Sequence, residues 1–129
     1  DILAAAPWTA DGRHLLLLQP MTMVSELRRW LWENGYEIER ETLCREDRRR
    51  YVVLSVRGGA ERREVPLSRC VVSPALLRAE GAAEYLDMLL RRERRALAGM
   101  EQGKNVTGAA LEEQQDAVRV LEQAKEELT

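Results

Sequence analysis

The pattern of apolar and polar positions begins with a short apolar run, Leu15–Leu18, which stands between Asp11-Gly12 and Pro20. Such an unbroken run fits neither an amphipathic helix nor a half-exposed strand, and it is typical of a strand covered on both faces of a parallel sheet. Parallel strands need long crossover connections, and residues 1–14 leave room only for the end of a helix and a loop. We therefore expect the other strands of this sheet to come from elsewhere.

Helical spacing follows this strand. Thr22 or Ser25 can cap a helix that runs to about Asn34, and Gly35 can end it. The spacing puts Trp32 off the apolar face of this helix. That face is formed by Val24, Leu27, Trp30 and Leu31.

Two strands are predicted next, over residues 36–43 and 50–56, and the charged segment 44–49 joins them as an antiparallel hairpin. A period of two gives the first strand one face that begins apolar and turns polar. That face contains Tyr36, Ile38, Arg40 and Thr42. We expect the first strand to lie at the sheet edge and the second to be its more buried partner.

The rest of the chain is predicted to be helical after a charged connector over residues 58–70. Ser73-Pro74 opens a short helix that ends near Glu80. Two longer helices, over about 81–101 and 107–128, form an antiparallel helical hairpin. Glu93 interrupts the apolar seam of the first helix and Gln114 that of the second, which predicts a stalk-like element.

Several classes of chemistry are disfavoured. No apolar run approaches the roughly 18 residues of a membrane helix, so a soluble, cytoplasmic protein is the default expectation. Cys44 and Cys70 are isolated thiols without the spacing of a metal site, so no metal is expected. The single histidine, His14, has no partnered nucleophile nearby, which disfavours a catalytic triad.

The order of elements, a buried strand, a helix and an antiparallel edge hairpin, is that of the end of an open α/β sheet. The residues themselves resemble a known family. "LLLLQP", "ELRRWLWENGYEIERETLCRED" and "RYVVLSV" resemble the second half of the bacterial tRNA (adenine-22-N1)-methyltransferases, and "SPALL" with "EYLDMLLRRERRAL" is similar to that family's C-terminal coiled-coil extension. The resemblance covers essentially all 129 residues.

The resemblance implies a parent protein with a Rossmann-like domain that binds S-adenosylmethionine and methylates N1 of an adenine in tRNA. Residues 1–72 would be the C-terminal part of that domain, and residues 73–129 a helical hairpin that helps to hold tRNA. The family's glycine-rich donor loop would precede Asp1, so this chain is expected to be an inactive fragment without catalytic residues of its own. Met21 stands where many members have Asn, and Ser73-Pro74 where they often have Gly-Pro.

Gln19 and Pro20 follow the carboxyl end of the first strand, which is the edge where open α/β sheets bind ligands. They are candidates for lining the adenine pocket, or they only end the strand. Arg28, Arg29 and Trp32 are candidate RNA-binding residues, since an aromatic side chain beside arginines can stack on a nucleobase. For Trp32, packing against the missing half or the helical hairpin is favoured.

Two clusters of arginines are candidate RNA contacts, because guanidinium groups bind phosphate in a bidentate manner. They are Arg48, Arg49 and Arg50 at the hairpin turn, and Arg91, Arg92, Arg94 and Arg95 on the long helix. The alternative is a solvated, charged surface that discourages aggregation.

Two other functions stay open. The chain could be a non-catalytic protein-interaction module, or part of a methyltransferase that acts on another substrate, since nothing in these residues identifies an adenine. In either case an uncovered Leu15–Leu18 strand is a candidate for homodimerisation or domain swapping.

Overall fold

Three strands and four α-helices make up the computed structural model, which describes residues 11–20, 23–103 and 105–128. They confirm the predicted α/β class and the order of elements. In chain order they are β1 (Leu15–Leu18), α1 (Val24–Glu33), β2 (Glu37–Glu46), β3 (Arg49–Arg57), a 3₁₀ helix (Leu67–Val71), α2 (Pro74–Leu77), α3 (Ala82–Gln102) and α4 (Gly108–Glu127).

The sheet has the strand order β1-β3-β2, and both pairings are antiparallel. As predicted, β2 lies at an edge and β3 lies in the centre. β1 is the other edge, and only one of its faces is covered: Leu16 and Leu18 pack on the core, whereas Leu15 is 51% and Leu17 is 69% exposed. The expectation of a strand covered on both faces is therefore not met within the described residues, because they contain no layer for the second face.

The turn of the β-hairpin is tighter than the predicted segment 44–49. The strands continue through that segment, with Cys44 opposite Tyr51 and Glu46 opposite Arg49. Only Asp47 and Arg48 remain outside the strands, and Asp47 adopts a left-handed backbone with φ 56°. Aspartate tolerates this conformation better than most residues do, which lets the chain reverse within two residues.

A β-bulge changes which side of β2 faces the core. The register with β3 shifts between Ile38 and Arg40, so that one extra residue is inserted. Tyr36 and Ile38 are buried as the period of two requires, but beyond the bulge Glu41 is buried and Arg40 and Thr42 are exposed. The prediction that Arg40 and Thr42 share a face with Ile38 was therefore wrong.

Helix α1 begins without a side-chain cap, after Met23 in a left-handed conformation. Ser25 lies inside the helix and is not its cap, and Thr22 lies outside the described residues. The predicted end of α1 is confirmed. Asn34 is its C-terminal capping residue, and the Tyr36 N–H donates a hydrogen bond to the Leu31 carbonyl at 2.8 Å.

The remaining helices follow their local signals. The Ser73 hydroxyl accepts a hydrogen bond from the Leu76 N–H, and that of Thr107 accepts one from the Ala110 N–H, so both caps are made. Helices α3 and α4 run antiparallel, since Asp87 pairs with Lys125 near one end of the contact and Glu93 bonds Gln114 further along.

The two interruptions of the helical seams meet each other. The Gln114 side-chain amide donates to the Glu93 carboxylate at 2.8 Å and to the Glu93 carbonyl at 3.0 Å. A polar pair inside an otherwise apolar seam favours one register of the two helices over others. The predicted departure from a uniform leucine seam is thus confirmed, and the two polar residues satisfy each other.

One hydrophobic core connects the sheet to the helical hairpin. Its fully buried members include Leu31 of α1, Leu54 of β3, Leu76 of α2, Leu86 of α3 and Leu121 of α4. The division into residues 1–72 and 73–129 stays a prediction, and the core is continuous across it.

Gly35 ends α1 in a conformation that other residues resist. Its φ is 81°, and an added Cβ would lie 2.9 Å from the Ala60 carbonyl oxygen. We predict that Gly35→Ala lowers the free energy of unfolding by more than about 1 kcal/mol, as measured by urea denaturation. Gly99→Ala is the matched control: that glycine is helical with open space around it, so about 1 kcal/mol of stabilisation is expected. An equal effect at both positions would contradict this account.

Candidate nucleic-acid interface

Beside the shared core, an open cleft of about 1800 Å³ lies where the sheet meets the helical hairpin. Residues of the β-hairpin turn and of the start of α1 line it, together with residues of α3 and α4. Gln19 and Pro20 also line this cleft, at the carboxyl end of β1 where sequence reasoning placed them. The structure therefore brings the candidate pocket residues and part of the arginine set to one cavity.

Among the arginine candidates, those of the β-hairpin turn and one of the α3 cluster reach the cleft. They are Arg48, Arg49, Arg50 and Arg92. Arg28 also lines it, but as a buried residue. Arg29, Trp32, Arg91, Arg94 and Arg95 do not line it.

The three turn arginines are free to bind an anion. All are exposed, and among the described residues no hydrogen bond or ion pair engages their guanidinium groups. Acidic residues line the cleft as well, including Asp47 in the turn, Glu46 next to it and Glu113 on α4. The cleft therefore carries charges of both signs, and the lining arginines that are not in an ion pair are those at the turn.

The four arginines of the α3 cluster differ in whether they form an ion pair. Arg92 pairs with Glu93 at 3.2 Å, and Arg94 pairs with Glu122 of α4 at 3.5 Å. Arg91 and Arg95 are exposed, and since they are four residues apart they lie on the same side of the helix. Of the two interpretations of this cluster, a solvated charged surface agrees best with Arg94, because its guanidinium group is already paired with Glu122 of α4.

Arg28 is not a surface cation. Its side chain is 2% exposed, and its Nε and Nη2 donate to both carboxylate oxygens of Glu41 at 2.9 and 2.7 Å. Its Nη1 donates to the Cys70 carbonyl at 2.8 Å. Burial and these three bonds commit the guanidinium group of Arg28 to the protein, so Arg28 is not among the RNA contacts that we propose below.

Sequence reasoning missed the partners of Arg28. Glu41 lies in a strand that alternates charged residues, and only the bulge turns it inward. The hydroxyl of Ser73 completes the site by donating to Glu41, while it caps α2. The burial of the Glu41 carboxylate depends on the register shift between β2 and β3, which no local sequence pattern predicts.

Trp32 is buried and packs against the connector. Its side chain is 4% exposed, and the Arg63 guanidinium lies 4.7 Å above its ring. The Arg63 N–H also donates to the Trp32 carbonyl at 3.0 Å. The prediction that Trp32 lies off the buried face was wrong, and of its two interpretations the packing one agrees with its position.

The surroundings of several ionisable groups shift their pKa values, and one of these groups, Tyr85, lines the cleft. The Ser68 hydroxyl donates to the Asp116 carboxylate at 2.6 Å, and this bond holds the pKa of Asp116 below its usual value. Burial raises the pKa of Tyr85 and that of the Cys70 thiol. These shifts keep Asp116 ionised and the two buried groups neutral near pH 7, so none of them supplies a reactive base.

Neither metal ligands nor a membrane span were found in the part of the chain that the structure describes. No group of three or more histidine, cysteine or acidic residues could hold a metal ion there. No helix there is long and apolar enough to cross a membrane.

Solved structures share this fold. The TrmK m1A22 tRNA methyltransferase of B. subtilis is 21% identical with a TM-score of 0.73, and the match covers 96% of this chain and 56% of that chain. A Streptococcus agalactiae protein of the NADB-Rossmann superfamily is 24% identical with a TM-score of 0.72, covering 97% and 53%. A Streptococcus pneumoniae structure in complex with S-adenosyl-L-methionine is 19% identical with a TM-score of 0.68, covering 96% and 53%.

These likenesses establish a Rossmann-like fold, and the chain spans little more than half the length of each of these structures. No curated protein sequence matches the chain. The family model of TrmK, tRNA (adenine(22)-N(1))-methyltransferase, matches residues 1–126. Because that match extends over nearly the whole sequence, the chain belongs to the TrmK family.

Proposed function

We propose that these residues form the C-terminal part of an S-adenosylmethionine-dependent methyltransferase that modifies N1 of an adenine in tRNA. The family match over residues 1–126 carries this proposal. The cleft supports it, because pocket candidates and unpaired arginines lie around one cavity. We also propose a cytoplasmic location for this protein, which agrees with a tRNA substrate. A methyltransferase that acts on another RNA is the runner-up, because no described contact is specific for adenine.

The methyl donor would be bound by residues upstream of this chain. Donor binding in Rossmann-like sites uses glycines that let a ligand approach the backbone closely. Here the glycines with positive φ near the sheet serve packing: a Cβ on Gly59 would lie 3.2 Å from the Gly12 Cα. The described glycines therefore do not form a donor loop, and the part in the reaction that we propose for the described residues is to hold the RNA.

The proposed RNA surface combines the turn and α3. Arg48, Arg49 and Arg50 would bind backbone phosphates, and Arg92 would approach from the opposite side of the cleft. Gln19 and Pro20 would border the target base at the end of β1. Arg91 and Arg95 extend the positive surface along α3, outside the cleft. Such a surface positions the nucleic acid and does not itself carry out chemistry.

The natural gene product that contains these residues is predicted to methylate tRNA. Incubated with S-adenosylmethionine and a tRNA transcript, it should yield 1-methyladenosine, detected by mass spectrometry of the nucleosides. A transcript in which the modified adenine is replaced by guanine should stay unmodified. Methylation of a different base or of protein in the same extract would refute the adenine assignment, and absence of any transfer would refute the methyltransferase proposal.

Charge reversal of Arg48, Arg49 and Arg50 to Glu is predicted to weaken tRNA binding by the natural gene product at least about tenfold. The slope of log K against log salt concentration should become shallower by about 2 to 3, because three phosphate contacts are lost. The matched control reverses Arg40, Arg62 and Arg78, which are exposed and lie outside the cleft. Equal losses in both triple variants would show that only the overall charge matters.

The open face of β1 gives a prediction for residues 1–129 in isolation. We propose that Leu15 and Leu17, which are exposed there, drive pairing with a second copy. Sedimentation velocity should show a dimer that grows with concentration, and Leu17→Lys should abolish it. Val106→Lys, at another exposed apolar residue, is the control and should leave the dimer intact. A monomer at all concentrations would exclude pairing through this edge.

A further inference from the structure

We propose that the buried ion pair of Arg28 and Glu41 is a positioning pair, which sets the orientation of the helical hairpin relative to the sheet and so the width of the RNA cleft. The proposal rests on the proposed function for its consequence in tRNA binding. The orientation itself can be measured without RNA.

The contacts of the pair connect four segments of the chain. Arg28 lies on α1 and Glu41 on β2, and the two form a bidentate ion pair with side chains 2% and 0% exposed. Arg28 also donates to the Cys70 carbonyl in the 3₁₀ helix, and Glu41 accepts from Ser73 at the start of α2. The sheet is thus joined to the segment that leads through α2 into the helical hairpin.

The bidentate geometry of the ion pair restricts how α1 and β2 can be oriented relative to each other. Two parallel N–H···O bonds fix both the distance and the plane of the two groups, which a hydrophobic contact does not do. A buried ion pair often adds little net stability compared with well-packed apolar residues, because both charges lose their hydration. A fully hydrogen-bonded network of this kind therefore contributes most by selecting one arrangement of the packed elements.

The orientation of the helical hairpin matters because a small tilt at the first residues of α3 becomes a larger displacement further along the helix. Arg92 lies ten residues beyond Ala82, the first residue of α3, which places it roughly 15 Å along the helix axis. A tilt of about 10° at the base of α3 would move Arg92 by roughly 2 to 3 Å relative to the turn arginines. Displacements near 1 Å are enough to disturb a positioned substrate by up to about 100-fold in rate.

The test uses the natural gene product and the double variant Arg28→Met/Glu41→Leu, which removes both charges together. Spin labels at Thr42→Cys and Ala98→Cys, both at exposed positions, report the distance between the sheet and α3. Cys44 is replaced by Ser, and Cys70 is fully buried. We expect the double variant to stay folded, with a broadened distance distribution, a KM for tRNA raised about tenfold and an unchanged KM for S-adenosylmethionine.

The matched control is Arg57→Met/Glu39→Leu, which removes an ion pair that also involves β2 but joins it to β3, through side chains that are 38% and 42% exposed. It should change neither the distances nor the KM for tRNA. Arg28→Lys, which keeps the charge but loses the bidentate geometry, should broaden the distribution to a smaller extent, and it decides the question if the double variant does not fold.

An unchanged distance distribution in the folded double variant, or in Arg28→Lys if the double variant is unfolded, overturns the positioning role. A wild-type protein that binds no tRNA refutes the proposed function, whereas the label distances still report on the pair. The two failures are therefore distinguishable.

Discussion

The bidentate ion pair between Arg28 and Glu41 is the constraint on which the arrangement of the fold depends. A buried guanidinium and a buried carboxylate are tolerated only when each satisfies the other, and losing one partner would leave an uncompensated charge costing about 3 to 5 kcal/mol. Their pairing requires α1 to turn Arg28 inward and β2 to carry a bulge that turns Glu41 inward. It also requires the connector to bring Cys70 and Ser73 to the same point. One interaction thus specifies how four segments meet.

The two faces of β1 differ in how they are covered. Leu16 and Leu18 belong to the core that the ion pair borders, whereas Leu15 and Leu17 on the other face lack cover among the described residues. An apolar strand with an open edge and an open face is a recognised liability in water. The chain spans only 56% and 53% of the length of two solved structures of the same fold.

The helices could be predicted from the sequence because their signals are local. Ser73-Pro74, Thr107 and Gly35 determine helix ends through bonds made within a few residues, and all three act as expected. The bulge in β2 could not be predicted, because it depends on the pairing with β3 and no breaker marks it. The burial of Trp32 was missed for a similar reason: the connector that covers it lies some thirty residues later in the sequence. Local rules therefore give the elements, and pairing between distant segments determines which of their faces is buried.

The same distinction governs the candidate site. Arg28 and Arg29 are adjacent and look alike in the sequence, yet the first is buried in a pair while the second is partly exposed and lies 3.9 Å from Glu33. Counting arginines therefore overestimates the surface available to RNA, because part of the positive charge is already neutralised inside the protein. What distinguishes the two classes is whether an acidic partner reaches the guanidinium in the fold. By that criterion, the candidate arginines that keep an unpaired guanidinium group among the described residues are those of the turn together with Arg91 and Arg95, and these are the RNA contacts that we propose.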